Sequence, residues 1–285
     1  MVDVDPGQNE IAPPGSIAAT TVDLDSLSVE EGISPSGAIA FFFGYASPSD
    51  SMDGFKKTVN RLAEAVDARF AVDNVSRVSG AIINTCGWVE GDGYKLQVQA
   101  CRAFKADYVL VLGQDKLLND LKKDLSDMKD VQILKQPTSG GVSARTREYR
   151  KRSRDRRIRE YFYGPLVGGV PLTPGVAVVP FDEVIIVKSP TSQDVVTEQL
   201  RPVGKEALLD PNRARVIEPS PSLQHTLLAV SYASDIDEVL TKNVAGFCHV
   251  QKVDMESKKF TLLLPQQGKL PGKYLIMGGI KWIAS

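Results

Sequence analysis

Two acidic residues near the start of the sequence have the spacing of a catalytic or metal-binding pair. Asp3 and Asp5 alternate with Val2 and Val4, and a Pro-Gly-Gln turn follows at once. Alternation of apolar and polar residues is typical of a β-strand, so the acids stand at a strand end. A carboxylate there can hold Mg²⁺ or take a proton from an attacking hydroxyl, as a Walker B acid does. The alternative interpretation is a solubilising chain terminus.

A strongly basic segment from Arg145 to Tyr163 has the composition of a phosphate-binding helix. Nine basic side chains stand against three acidic ones. Arginine binds phosphate bidentately through its planar fork, and blocks of like charge repel one another unless an anion offsets them. The segment therefore predicts contact with phosphate groups. The alternative is an arm that docks on an acidic protein surface.

The stretch Ser79–Tyr94 predicts a ligand-binding loop. Ala81–Ile83 reads as a central parallel strand that empties into an Asn-Thr-Cys-Gly turn, and open α/β sheets bind ligands at that edge. Trp88 follows, between Gly87 and Gly91. Its ring can stack on a nucleobase or pack under the loop as part of the core, and residue type alone does not choose between them.

A second glycine-containing loop, Pro137–Val142, follows another predicted strand. Its glycine pair exposes backbone amides and carbonyls that can grip a nucleobase or a phosphate. A plain turn is the other interpretation.

The elements that must position these groups alternate between strand and helix. Met52, Phe55, Val59, Leu62 and Val66 recur at helical spacing and predict one apolar helix face. Alternation with short links predicts a parallel sheet with helices on both sides. The predicted strands are Ala38–Phe43, Ala81–Ile83, Asp107–Gly113 and Val131–Lys135, and the predicted helices after the first are about Tyr94–Lys105, Asp115–Leu125 and Arg145–Tyr163.

Beyond residue 164 the pattern changes to strands separated by Pro, Gly, Ser and Asp turns. We therefore divide the chain into an α/β part, residues 1–164, and a small, mainly β domain, residues 165–285. We expect Tyr161–Tyr163 to anchor the basic helix to the α/β part. The predicted strands of the second domain are 176–179, 184–187, 227–232, 246–253, 260–264 and 274–282.

The composition excludes some classes of protein and does not indicate a particular function. The 285 residues are 42% hydrophobic and 24% charged, which is ordinary for a globular protein. No apolar run approaches the roughly 18 residues of a membrane helix, so we expect a soluble intracellular protein with no membrane partner. Three cysteines without C-x-x-C spacing argue against a disulfide framework and a zinc site.

Four motifs, DVDPGQ, NTCGWVEGDGY, SGGV and RDRRIREYFYG, together resemble the polyribonucleotide 5′-hydroxyl kinases of the Clp type. The likeness runs over the whole chain in the family's order. It implies an incomplete P-loop kinase-like sheet flanked by helices, followed by a small β domain. It also implies ATP and Mg²⁺, the RNA 5′ end as substrate, and a nuclear role in pre-mRNA cleavage, polyadenylation and tRNA splicing, with cleavage-factor and tRNA-splicing endonuclease proteins as partners.

The resemblance also assigns roles residue by residue. Asp3 and Asp5 belong to the Walker B strand, with catalytic and metal-binding roles. The remaining roles are nucleotide binding by Gln8, Gly140, Gly141 and Val142, RNA binding by Thr85, Gly87 and Trp88, and a lid over the transferred phosphate formed by Arg154, Arg157 and Arg159.

One departure from the family pattern limits what we expect of this chain. The sequence contains no G-x-x-x-x-G-K-[ST] motif, and Gly54–Thr58 lacks the glycine before lysine. In the family the P-loop precedes the Walker B strand, which suggests a truncated product or an incomplete gene model. We expect this chain alone to be an inactive kinase that binds ATP weakly. The alternatives are a non-catalytic scaffold of the cleavage factor and a related polynucleotide kinase of ribosomal RNA processing.

Overall fold

The computed structural model describes residues 1–23, 27–28, 32–33, 37–165, 170–188, 191 and 214–283. Strands and helices alternate through the first half, and strands dominate the second. The described strands are β1 (Val2–Asp3), β2 (Ser16–Ala19), β3 (Leu27–Ser28), β4 (Gly32–Ile33), β5 (Ile39–Phe42), β6 (Ile83–Asn84), β7 (Tyr108–Leu112), β8 (Gln132–Gln136), β9 (Gly175–Pro180), β10 (Ile185–Lys188), β11 (Arg215–Val216), β12 (Thr226–Ser231), β13 (Val244–Asp254), β14 (Lys259–Leu264) and β15 (Tyr274–Lys281). The α-helices are α1 (Met52–Val72), α2 (Asn74–Ser79), α3 (Asp92–Ala103), α4 (Asp115–Asp124) and α5 (Arg147–Tyr163).

The acidic strand β1 lies inside a four-stranded sheet of order β5-β2-β1-β6. It runs parallel to β6 and antiparallel to β2. Helices α1 and α3 cover one face, where Phe55, Val59, Leu62 and Leu96 pack under Val2. The apolar face predicted for α1 is therefore the core face of this sheet.

One predicted strand is shorter and differently placed than expected. The run Ala81–Ile83 was predicted as a central strand, but only Ile83 and Asn84 are extended, and β6 is the edge of the sheet. Ile82 is exposed, and no strand of the described chain pairs with the outer side of β6.

A second, separate sheet contains only the parallel pair β7 and β8. Helix α4 covers one face through Leu121, which packs with Val111 and Leu125. Helix α3 joins the two sheets, since Leu96 packs into the core of the first and Val98 packs against the core of the second.

The second half of the chain forms a seven-stranded sheet of order β11-β10-β15-β12-β13-β14-β9. One face packs on its own turns, through residues such as Leu228 and Leu262. The other packs on the first sheet, where Phe42 meets Phe247 edge to face. The two sheets approach so closely that a Cβ on Gly278 would stand 1.9 Å from the carbonyl oxygen of Gly44.

Helix α5 is anchored on the α/β part, where we expected it, and also on this seven-stranded sheet, because its Phe162 lies in one buried cluster with residues of both. Phe162 stacks on Trp282 at 5.9 Å between ring centroids. Tyr161 meets Phe247 edge to face, and its hydroxyl accepts a hydrogen bond from the Phe247 amide. The buried side of the last helical turn thus faces Phe247 on β13 and Trp282 just after β15.

The predicted fold class, an α/β sheet region followed by a mainly β region, is confirmed. The boundary at residue 164 stays a prediction, since one buried cluster contains Ala18 and Phe42 together with Leu227 and Ile276. Among the described residues, no helix is long and apolar enough to cross a membrane.

Candidate phosphate-binding site

Asp3 is the buried centre of the loop that follows β1. Its Oδ1 accepts hydrogen bonds from the Asp5 amide and from Asn84 Nδ2, and its Oδ2 accepts one from the Glu10 amide. Burial raises the pKa of Asp3, and these hydrogen bonds oppose that shift. With its side chain buried and both oxygens engaged, Asp3 shapes the loop and offers no exposed oxygen to a ligand.

Asp5 differs from Asp3 in what its carboxylate leaves free. Its Oδ1 accepts hydrogen bonds from the amides of Gly7 and Gln8, the pattern of an Asx turn. Its side chain is only partly buried, and no donor among the described residues contacts its Oδ2. Asp5 therefore presents one carboxylate oxygen that can hold a cation or accept a proton.

Asn9, which the sequence analysis did not single out, fixes the rest of the loop. Its Nδ2 donates to the carbonyls of Asp3 and Ser16, and its Oδ1 accepts from the amides of Ile11 and Ala12. All four side-chain bonds of a buried amide are thus satisfied. The available signal was an Asn two residues after Pro6-Gly7, a residue type that stabilises turns.

The basic helix α5 lies directly over this loop. Gln8 Nε2 donates to the carbonyl of Arg150, and Arg157 pairs with Glu10. A small cavity lies between loop and helix, lined by Gly7, Gln8, Asn9, Glu10, Pro14, Ser153, Arg154 and Arg157. The structure therefore brings Gln8, Arg154 and Arg157 together in one cavity, and the roles assigned to them stay predictions.

The three predicted lid arginines have different surroundings. Arg157 is neutralised by Glu10 and lies 3.9 Å from Glu160. Arg159 lies over the ring of Tyr163, with its Cζ 5.7 Å from the centroid.

Arg154, unlike Arg159, lines the cavity. No carboxylate of the described residues lies within ion-pair distance of it. Burial lowers the pKa of Arg154, and the nearby charges of Asp155 and Asp5 oppose that shift. A partly buried guanidinium without an ion-pair partner, close to Asp5, favours an anion at this point.

Trp88 is held in its loop by core packing. The indole is partly buried against the core beneath the first sheet, and a Cβ on Gly93 would stand 2.3 Å from Trp88 Cγ. Gln97, which sequence reasoning missed, donates to the carbonyls of Cys86 and Trp88. Stacking of Trp88 on RNA stays a prediction, and its contact with Gly93 already uses one side of the ring.

The remaining predicted site residues lie outside the cavity. Thr85 and Gly87 are exposed at the end of β6. Gly140, Gly141 and Val142 form an exposed turn after β8, in which the amides of Gly141 and Val142 already donate to Ser139. The structure describes no contact between this turn and the loop of Asp5, so nucleotide binding there stays a prediction.

The donor set beside Asp5 fits Mg²⁺ as one protein ligand. Mg²⁺ is usually held by one or two carboxylates, with waters and substrate phosphates completing its octahedron. The described residues contain no group of three His, Cys, Asp or Glu side chains that could form a closed metal site. Asp5 would therefore hold Mg²⁺ as a single protein ligand, with Arg154 nearby.

The loop after the acidic strand β1 and the arginine-rich helix α5 thus form a polar cavity at the edge of an α/β sheet, a place that suits an anion. Comparison with known proteins identifies the family. Residues 1–164 match the family described as mRNA cleavage and polyadenylation factor CLP1 P-loop, and residues 172–284 match that described as pre-mRNA cleavage complex II protein Clp1. The chain belongs to the Clp1 family.

Curated relatives include the CLP1 homolog of Dictyostelium discoideum, which is 37% identical over 99% of this chain. The CLP1 homolog of Arabidopsis thaliana is 38% identical over 100% of this chain. The aligned part is 61% and 63% of those proteins, respectively. The chain thus spans less than two thirds of their length.

Two solved structures have a similar fold. One concerns the interface between Pcf11p and Clp1p and ATP loss in a glycine-to-arginine mutant, and the other is the wild-type Clp1p–Pcf11p complex. The TM-score is 0.82 for both, at 23% and 22% identity, and this chain covers 67% of each compared chain. At that identity the likeness is one of fold.

Proposed function

We propose that this chain is the acidic-strand and lid portion of a nuclear pre-mRNA cleavage-factor subunit that transfers the γ-phosphate of ATP to the 5′-hydroxyl of RNA. The observation that supports phosphate transfer is the environment of Arg154. Its guanidinium is partly buried, close to Asp5 and without an ion-pair partner among the described residues. Family membership supports the place in mRNA 3′-end processing.

The roles of the two carboxylates follow from their hydrogen bonds. Asp3 holds the loop by accepting three hydrogen bonds, while Asp5 has Oδ2 available to orient the attacking hydroxyl or to bind Mg²⁺. When bound, Mg²⁺ neutralises charge on the phosphates. Asp5 thus takes the catalytic and metal-binding role that the sequence divides between both acids.

Arg154 acts on the transferred phosphate, and Arg157 holds the lid in place. Arg154 can donate bidentately to phosphoryl oxygens as charge develops on them. Arg157 fixes α5 to the loop through Glu10. Arg159 supports the helix through Tyr163, so the three predicted lid residues divide into one phosphate-binding and two positioning residues.

The experiment uses a completed protein, in which this chain is joined to the part of the Dictyostelium relative that it does not match. It is incubated with labelled ATP, Mg²⁺ and a 5′-hydroxyl oligoribonucleotide. We expect label transfer by the completed protein and none by this chain alone. Asp5→Asn should lower kcat by about a hundredfold or more, whereas Asp53→Asn, an exposed acid on α1, should leave it unchanged. Full turnover by Asp5→Asn would refute the assigned role.

A second candidate is a non-catalytic scaffold of the cleavage factor, which a full-length protein without a G-x-x-x-x-G-K-[ST] motif ahead of the acidic strand would favour. The fold neighbours are Clp1p in complex with Pcf11p, so a Pcf11-type fragment is the partner to test. A completed protein that captures this fragment but transfers no label would establish the scaffold. Label transfer to tRNA exons or to ribosomal RNA precursors would identify tRNA splicing or ribosomal RNA processing instead.

A further inference from the structure

One hydroxyl group of helix α5 has no part in the proposed function. Ser153 lines the cavity between this helix and the loop after β1, together with Arg154 and Arg157. Its side chain is partly buried, and its hydroxyl forms no hydrogen bond with the described residues. The cavity that we propose for a phosphate ligand therefore contains a serine whose hydroxyl is available for reaction.

The three residues before Ser153 are all basic. Arg150, Lys151 and Arg152 precede it directly in the sequence, and all three are exposed. Protein kinases select substrates by charge pattern, and a kinase with acidic groups in its substrate groove attracts basic residues next to the acceptor serine. Ser153 thus has the sequence surroundings of an acceptor for a kinase of this kind.

The first turns of α5 can open without loss of its anchor. The helix contains no buried residue before Ile158, and its first turns contact the loop through an exposed hydrogen bond from Gln8 to the Arg150 carbonyl. Segments with few buried contacts open locally at a small cost in free energy. The turns before Ile158 can therefore unwind and present Ser153 to a kinase, while the buried end keeps the helix on the core.

A phosphate on Ser153 would find two guanidinium groups in the same cavity. It carries close to two negative charges at pH 7 and three acceptor oxygens. Residues four apart share a helix face, so Arg157 lies beside it, and Arg154 lines the same cavity. Glu10, the partner of Arg157, keeps 60% of its side-chain surface exposed and can turn to water. Because such an exposed ion pair is weak, the phosphate can take the place of Glu10.

We propose that Ser153 is a phosphorylation site, and that its phosphate occupies the cavity, binds Arg154 and Arg157, and excludes other phosphate ligands. The modifying enzyme is a protein kinase that selects basic substrates and uses ATP. The Ser153 Oγ forms a bond to the γ-phosphorus, the bond from that phosphorus to the β,γ-bridging oxygen breaks, and ADP leaves. The hydroxyl proton passes to the catalytic base of the kinase. The inhibitory effect rests on the proposed function, because it assumes that the cavity binds phosphate.

The test compares three forms of this chain: unmodified, phosphorylated at Ser153, and phosphorylated at Ser143, with the phosphoserine incorporated during synthesis. Ser143 is the matched control, because it is exposed just before the basic segment and does not line the cavity. Titration calorimetry with pyrophosphate should give a Kd at least about tenfold higher for phosphorylated Ser153 than for the unmodified chain. Phosphorylation of Ser143 should change the Kd by no more than about threefold.

The ionisation of the two phosphates tests the contact without pyrophosphate. The second pKa of phosphoserine is about 6, and arginines beside a phosphate lower it. In ³¹P NMR titrations the pKa of phosphorylated Ser153 should lie at least about 1 below that of phosphorylated Ser143, and Arg154→Ala should reduce the difference. Failure of the unmodified chain to bind pyrophosphate would count against the proposed function, and the pKa difference would still decide this proposal.

A kinase reaction tests whether Ser153 is accepted as a substrate. The chain is incubated with ATP, Mg²⁺ and the catalytic subunit of cAMP-dependent protein kinase, and mass spectrometry locates the phosphate. We expect it on Ser153, appearing at least about tenfold more slowly in Arg150→Ala. Absence of phosphate from Ser153, equal pKa values of the two phosphoserines, or pyrophosphate binding by phosphorylated Ser153 as tight as by the unmodified chain would each overturn the proposal.

Discussion

The two halves of helix α5 follow opposite physical rules. Its last turns bury Ile158 and Phe162 completely in the core shared with the seven-stranded sheet. Its first turns, from Arg147 to Arg152, are exposed and strongly basic. Like charges in one helix repel one another, so the basic turns do not stabilise the packing of α5. Burial of the apolar turns stabilises it, and this packing positions the basic turns. The comparison teaches that the core shared by the first sheet and the seven-stranded sheet holds α5, and with it Arg154 and Arg157, over the loop of Asp5.

The largest effect is expected at the buried end. Phe162→Ala removes a ring that stacks on Trp282 and should lower the free energy of unfolding by about 3–5 kcal/mol. Urea denaturation measures it. Arg152→Ala, in the exposed half, is the matched variant and should change stability by no more than about 0.5 kcal/mol. Equal effects at both positions would remove the distinction between the halves.

A smaller loss of stability is expected from changes in the loop that follows β1, which lies under helix α5. Asp3→Asn replaces one acceptor oxygen by an amide group, so one of three backbone or side-chain donors loses its partner. The cost should be about 1–3 kcal/mol. Asp5→Asn keeps an oxygen for Gly7 and Gln8 and should cost less than about 1 kcal/mol. The reverse order in urea denaturation would contradict the division of roles between the acids.

The smallest effect on stability is expected at the ion pair that joins Arg157 of helix α5 to Glu10 of the loop after β1. Arg157 and Glu10 keep 31% and 60% of their side-chain surface exposed, so water screens the pair. A double-mutant cycle with Arg157→Ala and Glu10→Gln should give a coupling of about 0.2–1 kcal/mol. A coupling several times larger would mean that the charged half anchors the helix as well.

Much of the fold could be predicted from local pattern. The apolar spacing of Phe55, Val59 and Leu62 and the composition of Tyr108–Leu112 predicted α1 and β7 close to their observed bounds. The position of β6 could not be predicted, because the run Ala81–Ile83 has the composition of a central strand while edge or centre depends on neighbours distant in sequence.

The residue types at the site were predictable, but their division of labour was not. Asp3 and Asp5 look alike in sequence, and only the hydrogen bonds to Glu10 and Asn84 show that Asp3 is fully engaged. Likewise, nothing in the basic segment indicates that Arg157 meets Glu10, a contact 147 residues apart. Such long-range pairings separate a structural arginine from one left for a ligand.

Pyrophosphate binding by this chain is the most direct test of the central claim, that Arg154 is the anion-binding residue of a helix held in place by its other end. Titration calorimetry compares the chain with its Arg154→Ala and Arg159→Ala variants. Loss of a charged hydrogen-bond donor should raise the Kd of Arg154→Ala by about tenfold or more. Arg159, which lies over the ring of Tyr163 and does not line the cavity, should matter by no more than about threefold. Equal losses in both variants, or none in Arg154→Ala, would contradict the account.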